Sequence, residues 1–506
     1  MKFWYHLCMA AMLLGASPAL AQSPLRVVTP FEIASLEPSR SGFVFTRMEV
    51  TETLVGADDE GRPVPGLSTA WTLSDDRLTW RFTLRAGAKF HDDTPVTAEI
   101  VSQCLQRART KPGPLAEVPL TEIRAVAPDV VEIRTATPFI ALPAFLAEAS
   151  TQILAPSSYD ETGAVRRIIG SGPYRITSLE PPLRFEVERF DGWTGGPKPA
   201  IKRAIYQAVG RKETRALMAE SGQADLAFAL DPAGTDRLRR APNVAVTTKS
   251  IPRVITLKLN AHLPAFADVR VRRALSLAID REGIAKAILR SPAAAATQFF
   301  PPTMGGWHVS TLAPLRHDVA EARRLLAEAG WVPDAQGRLM KDGKPLHATL
   351  RSYAVRPELP VVAAAIQASA RDIGIDLDIA MMNSSDIPAG HRDGTLDMGL
   401  IARNFSLVPD PIGTLLADFG PNGGDWGAMG WSSSQLTEAL QALQQTDVPE
   451  TRAALRRRVL EILQTELPVI PVAWYDLRVA AAKRLGGVSV DPYELSYRIS
   501  RMRWAD

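Results

Sequence analysis

The chain contains two kinds of hydrophobic periodicity, and each predicts a different element. In LTWRFTLR, residues 78–85, apolar and polar positions alternate, so that Trp80, Phe82 and Leu84 share one face. This two-residue period is typical of a strand that is buried on one side. After Thr97, which is a suitable N-cap, the apolar positions change to the three- and four-residue spacing of a helix.

Several later helices are indicated by their first residues. Asp268, Asp280 and Asp318 each precede a segment with helical spacing, and an aspartate in that position accepts hydrogen bonds from the first backbone amides. Asp318 and Glu321 form a capping box, and Gly330 marks the end of the same helix.

Strand-like segments lie between these helices. Residues 254–260 and 375–382 alternate, and residues 452–474 predict a long helix that leads directly into an extended apolar strand. Strands that alternate with helices along a chain are typical of the α/β class. We therefore expect an α/β fold.

The N-terminus has the three parts of a secretory signal peptide, which we assign to residues 1–21. Lys2 supplies positive charge, an apolar run too short to span a membrane follows, and Ala19 and Ala21 form a small-x-small cleavage site. Cys8 lies too early to be a lipidated cysteine at that site. The sequence predicts a periplasmic protein without a lipid anchor.

Length and composition narrow the class of protein. A chain of 506 residues is too long for one hydrophobic core, so two or three packed units are expected. After cleavage only Cys104 remains, which excludes an intrachain disulfide, and its place on an apolar helix face favours a core position. The net charge of +3 comes from lysines and arginines spread along the chain, so nucleic-acid binding is not indicated.

Motifs for catalysis are weak. The segment GLSTA, residues 66–70, is a near miss to GxSxG, and GSGPYR, residues 170–175, lacks the third glycine of a dinucleotide fingerprint. None of the seven histidines has a partner at i, i+4 spacing. We expect no enzyme, no cofactor and no metal site, and a secreted hydrolase is the alternative from another class.

A series of motifs resembles one family, the extracytoplasmic solute-binding proteins of family 5, which serve ABC importers of the peptide and nickel type. The matching segments occur in order along the chain: residues 63–101, the GSGPY turn within 169–176, residues 213–228, the paired helices 271–289, residues 322–331 and residues 463–474.

The resemblance implies a bilobal periplasmic binding protein fold of type II, with the extra domain of the peptide-binding class. Two crossing strands near 254–260 and 471–475 would form the hinge. The implied division is a discontinuous lobe I of residues 22–56, 167–255 and 475–506, an extra domain of residues 57–166, and a lobe II of residues 256–474. The implied partners are an ABC permease and its ATPase subunits, docked transiently by a monomer.

The resemblance also concerns the ligand. Peptide binders of this family usually carry an aspartate that pairs with the ligand's amino group, and its place here is Leu407. Leucine cannot pair with a cation. Glu52 and Asp425 are examples of acids that remain as substitutes, and the sequence leaves this role open.

Arg403, Asn404 and Phe405 resemble the segment that precedes the same turn in the nickel branch. An arginine there would pair with a ligand carboxylate while the aromatic ring packs on the ligand body. We therefore predict a peptide or peptide-like solute with a carboxylate, and a nickel or metal-chelate binder is the alternative within the family.

Three aromatic residues complete the predicted ligand contacts. Trp426 and Trp431 lie in a glycine-rich segment, and Tyr475 lies at the predicted crossing. For Arg403, a surface salt bridge and a ligand contact are both open from the sequence alone.

Overall fold

The computed structural model describes residues 23–420 and 424–505. The predicted signal peptide, including Cys8, lies outside the described residues. Within them, no helix combines the length and the apolar character needed to cross a membrane.

The strands of these described residues, in chain order, are β1 Leu25–Thr29, β2 Val55–Ala57, β3 Pro63–Pro65, β4 Ser68–Leu73, β5 Thr79–Leu84, β6 Leu120–Ala127, β7 Val130–Thr135, β8 Tyr174–Glu180, β9 Arg184–Arg189, β10 Arg203–Ala208, β11 Leu226–Ala227, β12 Val244–Leu259, β13 Val332–Pro333, β14 Leu339–Lys341, β15 Lys344–Pro345, β16 His347–Tyr353, β17 Asp376–Met382, β18 Met398–Asn404, β19 Val469–Ala482, β20 Leu485–Gly486 and β21 Arg503–Trp504.

The α-helices of the same residues are α1 Pro38–Arg47, α2 Ala98–Ala108, α3 Leu142–Phe145, α4 Lys212–Glu220, α5 Pro232–Leu238, α6 Pro264–Ala267, α7 Val269–Ala278, α8 Arg281–Gly283, α9 Val319–Glu328, α10 Leu359–Asp372, α11 Asp386–Arg392, α12 Ile412–Phe419, α13 Ser434–Gln445 and α14 Pro449–Glu466.

One ten-stranded sheet runs through both halves of the molecule, in the order β17-β16-β18-β12-β19-β11-β1-β10-β9-β8. On one side β1 lies parallel to β10 and β11, and on the other β16 lies parallel to β17 and β18. Each half therefore has its own group of parallel strands, and the two groups meet only through β12 and β19. The predicted α/β bilobal fold is confirmed.

β12 and β19 are the two strands that cross between the halves. They pair antiparallel over most of their length, from Val244 opposite Ala482 to Lys258 opposite Val469. The pairing is interrupted by bulges, one of which leaves Pro252 and Arg253 without partners on β19. Because a bulge bends and twists a strand, it re-aims side chains at the crossing.

A separate four-stranded antiparallel sheet, in the order β4-β5-β7-β6, forms the core of the region between β1 and β8 together with α2. In β5 the alternate residues Trp80, Phe82 and Leu84 are buried, as their spacing predicts. Cys104 of α2 is also buried, and burial raises the pKa of its thiol. The predicted boundaries of this extra domain and of the two lobes stay predictions.

The predicted helix caps are present. Thr97, Asp268, Asp280 and Asp318 each accept a hydrogen bond from a backbone amide of the helix that follows. Gly330, just after α9, has a φ of +85°, which is a left-handed conformation that glycine adopts without strain.

Candidate functional site

A group of charged side chains meets where the two halves face each other. Arg47 ends α1, Arg253 lies in the bulge of β12, and Arg356 follows β16. Tyr475 of β19 and Glu494, near the C-terminus, lie beside them, and all five line one pocket. Phe31 and Phe228, just beyond β1 and β11, line the same pocket. Ligands of α/β sheets commonly bind outside the carboxyl ends of strands, where Arg356 and these phenylalanines lie.

Two guanidinium groups lie close to the ring of Tyr475. The guanidinium carbon of Arg253 is 5.1 Å from the centre of its ring, and that of Arg356 is 5.6 Å away. The side chain of Arg356 also donates a long hydrogen bond of 3.4 Å to the hydroxyl of Tyr475. Cations at such distances are attracted to the face of an aromatic ring, so Tyr475 orients both arginines.

Glu494 is the acid that pairs with two of these arginines. Its carboxylate lies 2.8 Å from Arg253 and 3.8 Å from Arg47, and its carbonyl accepts a 2.6 Å hydrogen bond from Arg47. Burial alone would raise the pKa of Glu494, but Arg253, Arg47 and Arg356 together lower it. Glu494 also has a left-handed backbone with a φ of 55°, a conformation that is uncommon for residues other than glycine.

Two of the arginines have unused hydrogen-bonding capacity. The Nε atom of Arg253 is buried without a hydrogen-bond partner. Among the described residues, no carboxylate lies within 4 Å of the Arg356 guanidinium. Burial opposes its charge, yet Tyr475 and Glu494 raise the pKa of Arg356 above its ordinary value, so it stays a cation. Such donors are suited to a carboxylate.

The space enclosed by these side chains is about 20 Å³, which is room for about one water molecule. Nearby, Gly61, which lies between β2 and β3, packs against the carbonyl of Pro409 from the other half, so closely that a Cβ would lie 2.5 Å from that oxygen. The halves are therefore in contact, and entry of a solute requires them to separate.

Arg403, which the sequence suggested as a ligand contact, does not lie in this pocket. Its Nε and Nη2 atoms each donate a 2.7 Å hydrogen bond to the carboxylate of Asp418, a residue that is only 2% exposed. Because Val254 pairs with Arg403 and Arg253 with Asn404, Arg403 and Arg253 point to opposite faces of the sheet. Arg403 borders a separate cavity of about 430 Å³, with Phe139, Phe145 and Leu407.

The two neighbours of Arg403 have local partners. The side-chain oxygen of Asn404 accepts hydrogen bonds from the amide and the hydroxyl of Ser406, which forms a tight turn. Phe405 is 1% exposed, and its ring packs edge-on against Phe299 and Phe300 at 5.2 Å. In this arrangement Phe405 is a core residue and not part of a cavity surface.

Of the other aromatic candidates, only Tyr475 lies among the arginines. Trp431 donates a 2.8 Å hydrogen bond to Glu466 and packs edge-on against Phe419. Trp426 is half-buried against the core of the β16–β18 half. The structure therefore does not bring Arg403, the tryptophans and Tyr475 together. Ligand contact by any of the six stays a prediction.

Leu407, which occupies the place of the amino-binding aspartate of the family's peptide binders, is exposed. Leu407 is 45% exposed at the cavity beside Arg403. Of the acids considered as substitutes, Glu52 forms a bidentate pair with Arg85, and Asp425 forms an ion pair with Arg392. Both acids therefore already have cationic partners. Within the described ranges, no group of three or more His, Cys, Asp or Glu side chains is arranged to hold a metal ion.

The sequence did not reveal Arg47, Arg253, Arg356 and Glu494. A weak signal existed for Arg356, since it precedes a proline and the helix that follows it, a place where a strand can end and where ligands commonly bind. Arg253 carried a second signal, because it interrupts an otherwise apolar strand after a proline. Nothing in the sequence shows that these residues meet, since more than a hundred positions separate them.

A buried lysine behind the Arg403–Asp418 pair gives a first testable prediction. Lys258 is fully buried, its Nζ atom donates a 2.7 Å hydrogen bond to the Asp425 carbonyl, and it contacts Nδ1 of His391. Burial lowers the pKa of Lys258 from 10.5 to about 7. Between these values the unfolded chain binds more protons than the folded one, so the free energy of unfolding rises with pH.

We expect the stability of the wild type to rise relative to Lys258→Met by about 1–3 kcal/mol between pH 7 and pH 9. Denaturant unfolding of both proteins at the two pH values measures this difference, and titrating groups that do not interact with Lys258 cancel in the comparison. A difference that does not change with pH would show that Lys258 keeps its charge throughout this range.

The fold and the pocket together define a class of protein. Two α/β halves joined by crossing strands, with unpaired cationic donors facing each other at their junction, form a cleft-type binding protein. The comparisons with known proteins lead to the same class.

Residues 62–426 match the model of the bacterial extracellular solute-binding proteins, family 5 (middle region). The chain is 26% identical over 495 residues to the nickel-binding periplasmic protein of Escherichia coli, covering 94% of this chain and 93% of that protein. It is 25% identical over 511 residues to the glutathione-binding protein GsiB of Salmonella choleraesuis, covering 97% of each. The structure of NikA from Brucella suis in complex with Fe(III)-EDTA superimposes with a TM-score of 0.86, at 24% identity, over 95% of this chain and all of that one.

The chain therefore belongs to the family 5 solute-binding proteins, the substrate-binding components of ABC importers. Proteins of this family bind solutes for transport.

Proposed function

We propose that the protein captures a carboxylate-bearing, peptide-like solute between its lobes and delivers it to the permease of an ABC importer. Arg356 is the observation that carries this proposal. It is a cation at the junction of the lobes, with no carboxylate within 4 Å among the described residues, and it is oriented by Tyr475. A ligand carboxylate would complete its hydrogen bonding, with the unpaired Nε of Arg253 as a second donor.

The names of the relatives support an acidic or peptide-like solute. GsiB is a glutathione-binding protein, AppA of Bacillus subtilis was solved with a nonapeptide, and AgaA of Agrobacterium tumefaciens was solved with agropinic acid. The nickel-binding relative supports the alternative, a metal chelate as cargo. In that case the same arginines would bind the carboxylates of the chelator.

The remaining parts of the proposal follow from the family. We infer a periplasmic monomer, exported by residues 1–21 and not lipid-anchored, which docks transiently on a permease driven by separate ATPase subunits. We infer also that lobe I, the extra domain and lobe II have the boundaries that the family resemblance implies, and that bending occurs where β12 and β19 cross.

Native mass spectrometry of freshly purified protein tests the proposal. We expect an additional mass that is lost under denaturing conditions and that corresponds to one or more acidic organic solutes. Elemental analysis of the same sample distinguishes a metal chelate from a metal-free solute. The Arg356→Met variant, purified in parallel, should retain much less of this mass, because it lacks the free cation.

Turnover of a substrate panel without any stable complex would contradict the proposal and favour a hydrolase. Retention of the same solute by Arg356→Met at the level of the wild type would place the carboxylate site elsewhere, with the cavity beside Arg403 as the first alternative.

A further inference from the structure

A cavity of about 510 Å³ lies beside the pocket that Arg356 and Glu494 line. One of its walls is formed by the β2–β3 turn, by α3 and by the residues just before α3, and the other by α14 and residues 304–307 and 409–411. Tyr493 also lines the cavity, and it is the neighbour of Glu494 in the chain. Small-molecule sites commonly have volumes of about 300–1,000 Å³, so this cavity has room for part of a solute.

Arg456 of α14 is the one charged residue at this cavity that has no ion-pair partner among the described residues. The other charged residues that line it form ion pairs, Glu60 with Arg62, Asp410 with Arg452 and Asp447 with Arg77. Burial lowers the pKa of Arg456, Asp410 opposes this at longer range, and Arg452 adds to it. An arginine nevertheless keeps its proton, so Arg456 is a partly desolvated cation whose charge is incompletely compensated.

The guanidinium of Arg456 is held in place by contacts that use none of its charge. Its carbon lies 5.3 Å from the centre of the Trp307 ring, and a Cβ on Gly306 would lie 2.5 Å from Nη1. The Nε atom is buried without a hydrogen-bond partner. Burial raises the pKa of Tyr493, so its hydroxyl keeps its proton and can donate as well. The cavity therefore has an oriented cation and a neutral donor, which together suit an acidic group.

We propose that this cavity binds a second acidic group of the solute, with Arg456 as its partner, so that the protein selects solutes with at least two acidic groups. This inference rests on the proposed function, in which Arg356 binds the first carboxylate, and it names the substrate class. A solute of this kind extends past Tyr493 from one arginine to the other. Its second acid supplies the hydrogen bonds that burial has removed from Arg456.

Two probes of equal size test the inference by calorimetric titration: N-acetyl-alanyl-glutamate, with two carboxylates, and N-acetyl-alanyl-glutamine, with one. In the wild type we expect the glutamate probe to have a Kd at least about tenfold lower than the glutamine probe, because it gains a hydrogen bond between charged groups. In Arg456→Met the two Kd values should become nearly equal. Methionine keeps much of the length of the side chain and its apolar contact with Trp307.

Arg457→Met is the matched control. Arg457 is the next residue of the same helix, but its side chain is exposed and pairs with Glu461, so this variant should keep the wild-type ratio of the two Kd values. Equal affinity of the wild type for both probes would overturn the inference. A ratio in Arg456→Met as large as that of the control would do the same, and it would make Arg456 a structural residue that packs on Trp307.

The proposed function is tested separately by Arg356→Met, which should bind both probes more weakly. Undiminished binding of both probes by Arg356→Met would count against that function, while the ratio measured with Arg456→Met would still decide the inference.

Nuclear magnetic resonance of protein labelled with ¹⁵N-arginine decides the inference even if neither probe binds. The Nε–H signal of Arg456 is identified by its absence from the Arg456→Met spectrum. Glutarate, a small dicarboxylate, should shift this signal, whereas glutaramide, its uncharged analogue, should not. No shift with glutarate up to about 10 mM, which detects even millimolar affinity, would overturn the inference.

Discussion

Replacing Arg403 with methionine is expected to lower the free energy of unfolding by about 3–5 kcal/mol, because it leaves a buried carboxylate without its partner. Asp418 is 2% exposed, and both of its carboxylate oxygens accept hydrogen bonds from Arg403. Denaturant unfolding of wild type and variant measures the loss. The double variant Arg403→Met/Asp418→Leu should recover much of it, since a hydrophobic pair can replace a buried ion pair.

The same variant separates the two roles that the sequence left open for Arg403. The ion pair with Asp418 predicts a large loss of stability and little direct effect on solute affinity. A variant that unfolds like the wild type but no longer binds solute would instead show that Arg403 is a ligand contact. In that case the pairing with Asp418 would belong only to the ligand-free protein.

Replacing Arg356 with methionine is expected to have the opposite effects: it should weaken solute binding and leave the stability of the fold nearly unchanged. A hydrogen bond to a charged group contributes about 1.5–3 kcal/mol, so the affinity for a carboxylate solute should fall by about 10- to 150-fold. The free energy of unfolding should hardly change, because Arg356 has no ion-pair partner among the described residues and is half-buried. Methionine keeps the length and the apolar part of the side chain.

Calorimetric titration with the solute recovered from the native protein measures the affinity of Arg356→Met. Arg351→Met is the matched control, since Arg351 lies on β16 in the same half and its side chain donates hydrogen bonds to Thr395, and this variant should bind like the wild type. Unchanged affinity of Arg356→Met would remove this arginine from the site. A large loss of stability in this variant would show that its contact with Tyr475 is structural.

Local elements of the fold were predictable because their causes are local. The burial of Trp80, Phe82 and Leu84 follows from a two-residue period, and the helix starts follow from side chains that bond amides two or three residues away. The lengths of the crossing strands were less predictable. β12 begins at Val244, ten residues before the predicted start, because pairing with β19 continues along the polar part of the strand.

The candidate site was predictable only in part. Tyr475 was found because it lies in a segment with a recognisable family pattern, and it does lie beside the arginines. Phe405 looked equally suitable but packs against Phe299 and Phe300, which are remote in sequence. An aromatic residue at a strand end has no local feature that distinguishes a cavity wall from a core position.

The sequence by itself determined the class, because the features that define it depend on neighbouring residues: periodicity and helix caps indicate an α/β fold, and the ordered motifs resemble those of the family 5 solute-binding proteins, which are bilobal. Only the tertiary structure decided which arginine has a partner. Arg403 is neutralised by Asp418, whereas Arg356 faces Arg253 and Tyr475 without an acid within 4 Å among the described residues. The physical reason is that charge compensation depends on distances between side chains, and folding sets those distances between residues that are far apart in the chain.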